Sequence, residues 1–152
     1  PLRCISTAAL GFCAYWFSNM VIGIFITTLY PDFLNLNDQS ILEMSRGSFF
    51  IMAIGTVLLV PVVEEVLYRG LIFHTLYNRN RITAYAVSSA IFSLIHIAGY
   101  ITLYSPTALL LSFIQYIPAG LCLGWAYARA DSVWAPILIH TLVNLIGILS
   151  MR

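Results

Sequence analysis

The sequence predicts an all-α, polytopic membrane protein, with about five transmembrane helices around a polar intramembrane chamber. Three observations predict it. Apolar residues make up 61% of the 152-residue chain and charged residues only 9%, where soluble domains average about 45–50% and about 25%. Apolar runs recur at lengths near the roughly 20 residues that a helix needs to cross a bilayer. The ionisable residues inside those runs are few, and they are gathered in three places rather than scattered.

The first span runs from about Thr7 to Leu29, followed by the polar stretch "PDFLNLNDQSILEMSRG", read as a loop. The second runs from about Ser48 to Tyr77, too long for one straight crossing, and Pro61 is the expected kink or break. After "NRNR" the third covers about Ile82 to Tyr104, and Ser105–Pro106 turns the chain into the fourth, about Thr107 to Tyr127. "ARAD" leads to the fifth, about Ser132 to Ser150. Gly120 and Gly124 form a GxxxG pair that favours close helix approach, and Trp125 and Trp134 flank the last loop as interfacial anchors. No internal repeat is visible. Residues 1–152 therefore read as a single membrane domain. A chain that begins at Pro1 is expected to be truncated or processed at its N-terminus.

Composition excludes several classes. Net charge is +1 and lysine is absent, so there is no basic patch for nucleic acid. Cys4, Cys13 and Cys122 have no CxxC spacing and read as small apolar residues. Alternating the spans puts Arg3, Arg79, Arg81 and Arg129 on one side and Arg46 and Arg152 on the other. The positive-inside rule then makes the four-arginine side cytoplasmic.

The chemistry lies in the ionisable residues. Glu65 and Arg69 are four apart on one helix face and can pair, whereas Glu64 lies about 100° around from Glu65 and is left to face a cavity. His140 and Asn144 share one face of the fifth span, and Phe92 and His96 share one face of the third. Counted from the four-arginine ends at 1.5 Å per residue, Glu64 lies roughly 20 Å deep, His96 roughly 21 Å, Asn144 roughly 18 Å and His140 roughly 12 Å. These residues are expected to meet in one chamber open towards the cytoplasm. A glutamate, two histidines and an asparagine suit hydrolysis of a carbonyl compound. Glu64 and His96 would hold and deprotonate water, and His140 and Asn144 would donate to the oxyanion. Zn2+ held by Glu64, His96 and His140 uses nearly the same residues, although HExxH spacing is missing. His74 reads as an interfacial anchor, Gln115 as a helix-to-helix hydrogen bond, and Ser88, Ser89 and Ser93 as small packing residues.

"EEVLYR" (Glu64, Glu65, Arg69), "FSLIH" (Phe92 to His96) and "HTLVN" (His140 to Asn144) resemble the motifs EExxxR, FxxxH and HxxxN. These motifs occur in that order in the CAAX prenyl endopeptidase and bacteriocin-processing (CPBP, Abi) family of intramembrane proteases. The resemblance covers roughly residues 50–150. It implies endopeptidase cleavage of a membrane-associated peptide or protein, in a multi-pass protein of the bacterial inner membrane. Eukaryotic members act on prenylated CAAX proteins. Carried over by motif, Glu64 and His96 activate water and His140 with Asn144 forms the oxyanion site. Glu65, Arg69 and Phe92 then support them. The family is labelled metalloprotease, but a metal-free glutamate mechanism has also been argued for it, so Zn2+ stays open. Family members usually have more spans, and several are tied to bacteriocin immunity. The alternatives are therefore a non-catalytic immunity or scaffold protein on the same fold and, third, an ion or proton carrier through Glu64, His96 and His140.

Overall fold

The computed structural model describes residues 2–150, and the side chains of these apart from residues 45 and 46. The described residues form helices and connections: α1 (Leu2–Leu29), α2 (Leu36–Ile54), α3 (Val60–Glu65), α4 (His74–Tyr77), α5 (Arg81–Ala98), α6 (Pro106–Ala130) and α7 (Trp134–Ser150). π-Helical turns, Gly55–Leu59 and Val66–Phe73, join α2, α3 and α4 end to end, so that Gly47–Tyr77 is one rod. The protein is all-α and polytopic. Among the described residues four helices are long and apolar enough to cross a membrane, namely Leu2–Leu29, Gly47–Tyr77, Arg81–Ala98 and Pro106–Ala130. α7 is apolar too, but its 17 residues extend only about 25 Å against a hydrocarbon core of about 30 Å.

Several expected boundaries are corrected. Pro61 does not break the second span. The π turn ahead of it sends the Val60 N–H to the carbonyl of Gly55, five residues back, and Pro61 then sits at the start of α3, where a missing donor costs least. The bend lies at Ser48 instead, whose φ of −148° and ψ of 85° interrupt α2. Much of the expected polar loop is helical, because Asn35 caps α2 by accepting from the backbone N–H groups of Asn37 and Asp38. The third span ends at Ala98, not near Tyr104. A turn through Gly99–Tyr104 then leads to Ser105, which caps α6 from its hydroxyl, with Pro106 at the first helical position.

Small residues let the helices close up. A Cβ added at Gly120 would sit 2.7 Å from Ser89 Cα, which locks the GxxxG segment of α6 onto α5. Gly11 of α1 lies equally tight against the Ile139 methyl of α7, where an added Cβ would come within 2.5 Å. Ala8, Tyr68, Phe92, Ala119, Leu123, Ala126, Ala135 and Ile139 form the shared core. The outer surface is apolar, with Phe17, Phe25, Val63, Leu71 and Ile82 all exposed, while Glu65 and Arg69 are 0% exposed. This inside-out distribution fits a lipid surround and not water.

Candidate active site

The site is assembled on the Gly47–Tyr77 rod and the two helices that cross it. Glu65 and Arg69 sit one turn apart, and their side chains meet at 3.0 Å (Arg69 Nη1 to Glu65 Oε1) with no exposure for either. The same Glu65 oxygen accepts from His140 Nδ1 at 2.9 Å, so one carboxylate holds both the guanidinium and the imidazole. Arg69 Nη2 also donates to the backbone carbonyl of Gly120 at 3.3 Å, and its guanidinium stands 4.5 Å from the centre of the Phe92 ring. Glu65 and Arg69 therefore brace α7, α6 and α5 against the rod. The sequence foretells the Glu65–Arg69 pair from spacing, but the reach of Glu65 to His140 on a distant helix has no local signal.

Glu64 is placed differently. Its side chain is 19% exposed and turns to a cavity instead of a cation, and His96 Nε2 lies 4.0 Å from its Oε2. That separation exceeds a direct hydrogen bond. The other imidazole nitrogen of His96, Nδ1, lies 2.8 Å from the carbonyl of Phe92. A carbonyl only accepts, so Nδ1 carries a proton, and in the neutral ring Nε2 then presents its lone pair towards Glu64. Likewise His140 Nδ1, bonded to a carboxylate, carries a proton, and Nε2 is the nitrogen left for the cavity.

Asn144 donates one Nδ2 hydrogen to the carbonyl of Thr56 at 2.8 Å. That carbonyl is available for a reason written in the sequence. The donor that would take it in α-helical register, Val60 N–H, is drawn to Gly55 by the π turn. The donor in π-helical register would be residue 61, which is proline and has none. The second Asn144 amide hydrogen is left for a ligand.

Two adjoining cavities open over these residues. Glu64, His96, His140 and Asn144 all line the smaller, about 350 Å³. His96, His140, Asn144 and Phe92 also line the larger, about 620 Å³. The remaining walls show at which end of the bundle the cavities lie. Asn37, Ile41, Met44, Gly99 and Tyr100 belong to the end of the bundle with the α1–α2 and α5–α6 connections. The cavities thus lie away from Arg3, Arg79, Arg81 and Arg129. The depth count from the arginine end hides this, because α5 stops at Ala98 and leaves His96 in its last turn. On the opposite side, the Arg46 side chain and Arg152 lie outside the described residues.

The other expectations distribute as follows. His74 is exposed and bonded to the Tyr127 hydroxyl at 2.9 Å and to Asn78 at 3.2 Å, away from both cavities. Gln115 accepts from Asn35 at 2.8 Å, a bond from helix to cap instead of helix to helix. Ser88, Ser89 and Ser93 are buried in the α5 packing face. The three cysteines are free. Among the described residues no three His, Cys, Asp or Glu side chains are grouped closely enough to hold a metal ion. Glu64, His96 and His140 line the same cavity without being drawn into such a group. Sequence reasoning misses Tyr116, whose ring lies 4.3 Å from that of His96. It also misses Asn35 behind it, and the Thr56 carbonyl.

A family model described as type II CAAX prenyl endopeptidase Rce1-like matches residues 46–146. Three similar proteins are bacterial. The chain is 29% identical to the putative membrane peptidase YdiL of Bacillus subtilis (strain 168), over 71% of this chain and 40% of YdiL. It is 29% identical to the membrane-embedded CAAX protease MroQ of Staphylococcus aureus (strain USA300), over 92% of this chain and 55% of MroQ. It is 32% identical to the UPF0177 protein YxdF of Lactococcus lactis subsp. lactis (strain IL1403), over 59% of this chain and 44% of YxdF. The chain spans about half the length of these curated relatives. No solved structure matches it.

Proposed function

The chain belongs to the type II CAAX prenyl endopeptidase Rce1-like family, and from that premise we propose that it is an intramembrane endopeptidase acting on membrane-associated peptides or proteins in a bacterial inner membrane. The observation that carries this reading is the Glu64–His96 pair. A carboxylate oxygen of Glu64, buried and without a hydrogen-bond partner, and the Nε2 of a neutral His96 stand 4.0 Å apart beside the smaller cavity as two acceptors. Direct contact satisfies neither, but a water between them donates a hydrogen to each.

The chemistry follows from that placement. The water oxygen attacks the scissile carbonyl carbon as Glu64 takes its proton and His96 holds it in line. The carbonyl oxygen becomes an oxyanion within reach of the second Asn144 amide hydrogen and of His140 Nε2. Because His140 Nδ1 already donates to Glu65, Nε2 donates only when the ring carries both protons; Glu65 already offsets Arg69, so the charge of the doubly protonated ring is met by the oxyanion itself. Collapse of the tetrahedral intermediate breaks the C–N bond. Glu64 returns its proton to the leaving nitrogen, giving a carboxylic acid and an amine. The names of MroQ, a membrane-embedded CAAX protease, and YdiL, a putative membrane peptidase, support the same activity class.

The test is cleavage of membrane-anchored peptides, prenylated and unprenylated, by the purified full-length protein beside Glu64→Gln. Each runs with and without a strong chelator. Wild type is expected to cleave, and Glu64→Gln to fall by about 10²–10⁴-fold. The chelator is expected to change neither rate, and its inhibition of wild type would bring a metal into the mechanism. Equal rates for the two proteins would remove Glu64 as the base. No cleavage by wild type of any such peptide would favour a binding role on this fold.

A further inference from the structure

Tyr116 lies on α6, outside the three motifs, yet it touches the centre of the site. Its ring is 4.3 Å from the His96 ring, tilted by 31°. Phe92 covers a second side of the same imidazole at 4.4 Å. His96 has one hydrogen bond of its own, from Nδ1 to the Phe92 carbonyl, and that bond alone leaves the ring plane free to swing. Two aromatic walls remove that freedom.

Tyr116 is in turn fixed from outside the helix core. Its hydroxyl donates to Asn35 Oδ1 at 3.1 Å. The Asn35 side chain is buried, and both ends of its amide are engaged. Nδ2 donates to Gln115 Oε1 at 2.8 Å, and Oδ1 also caps α2 through Asn37 N at 2.9 Å and Asp38 N at 3.3 Å. One amide thus ties the start of α2 to two adjacent α6 residues. Both Asn35 and Tyr116 line the larger cavity together with His96.

We propose that Tyr116, anchored by Asn35, is a positioning residue that holds the His96 imidazole with Nε2 facing Glu64. This rests on the hydrolase reading for its functional consequence, but not for its geometry. The seating of α2 over the cavity is thereby linked to the orientation of His96 through two side chains.

The experiment exploits a favourable count, since the chain has 3 histidines. The full-length protein, labelled with 15N-histidine in lipid nanodiscs, is compared as wild type, Tyr116→Phe, Tyr116→Leu and Asn35→Ala, with His96→Gln to assign the signal. Wild type and Tyr116→Phe are expected to show His96 as the single Nδ1–H tautomer. Tyr116→Leu is expected to show a mixture, with kcat lower by up to about 100-fold and KM little changed. Asn35→Ala should fall between them. A single unchanged tautomer in Tyr116→Leu overturns the proposal, whatever happens to activity. If Tyr116→Leu fails to fold, Asn35→Ala and Tyr116→Met decide by the same signal. Should Glu64→Gln prove fully active, the hydrolase reading fails while the tautomer signal still judges Tyr116.

Discussion

Adjacent glutamates in one helix turn are given opposite duties by their neighbours. Glu65 is 0% exposed and bonded to both Arg69 and His140, so it belongs to the frame. Glu64 is 19% exposed and stands 4.0 Å from His96, so it belongs to the cavity. Substitution should separate the two. Removing one partner of a fully buried ion pair strands the other charge, at a cost of about 3–5 kcal/mol. Glu65→Gln should therefore lower the melting temperature in detergent strongly and take activity with it. Glu64→Gln should melt close to wild type and lose activity alone. A Glu64→Gln protein that melts as early as Glu65→Gln would mean that both carboxylates are structural, and the division of labour would be gone. Helical spacing made half of this legible, because residues four apart must share a face. It could not show that Glu65 also reaches His140, since 75 residues of chain separate them and only the packing of α7 on the rod brings them together.

The rod shows how an element can carry a proline without breaking. The sequence marks Pro61 as the fault, because a missing N–H and a bulky ring disturb an α-helix. The chain resolves it with one extra residue in the turn before, as the Val60 N–H bond to Gly55 records, and the surplus carbonyl at Thr56 is taken by Asn144. Such π turns cluster where function needs a displaced backbone group. Pro61→Ala restores a donor at residue 61, and that donor competes with Asn144 for Thr56. The expected result is a protein that stays folded, with helix content unchanged by circular dichroism, and loses kcat by roughly 10-fold as Asn144 drifts from its place. Activity at the wild-type level would show that Asn144 is held by something else. None of this was legible, because periodicity registers which face a residue occupies and not which carbonyl is left over. α2 was missed for a related reason. Its first turns are polar like a loop, and the deciding feature is the Asn35 cap, whose burial depends on Gln115 and Tyr116 of α6.

At the scale of the whole molecule the chain is inverted, apolar outside and charged within, and composition alone was enough to foresee it. The direction in which the site opens was not legible from span lengths, because it depends on where α5 ends. Had α5 run to Tyr104, His96 would lie deep. Stopping at Ala98, it puts His96 beside the first turn of α2, which carries Asn37, and the α5–α6 connection, which carries Tyr100. Membrane orientation follows from a different physical effect, the retention of arginine-rich loops on the cytoplasmic side. Arg79 and Arg81 flank the α4–α5 turn, and Arg129 sits at the opposite end of α6 from Ser105, so the cavity end should face away from the cytoplasm. Asn37→Cys, in a chain whose three native cysteines are replaced by alanine, reads this directly. In right-side-out bacterial spheroplasts it should react with a membrane-impermeant maleimide, while Asn78→Cys on the arginine side should react only after lysis. The reverse pattern would mean that these few arginines do not set the orientation, and that the site takes its substrates from the cytoplasm.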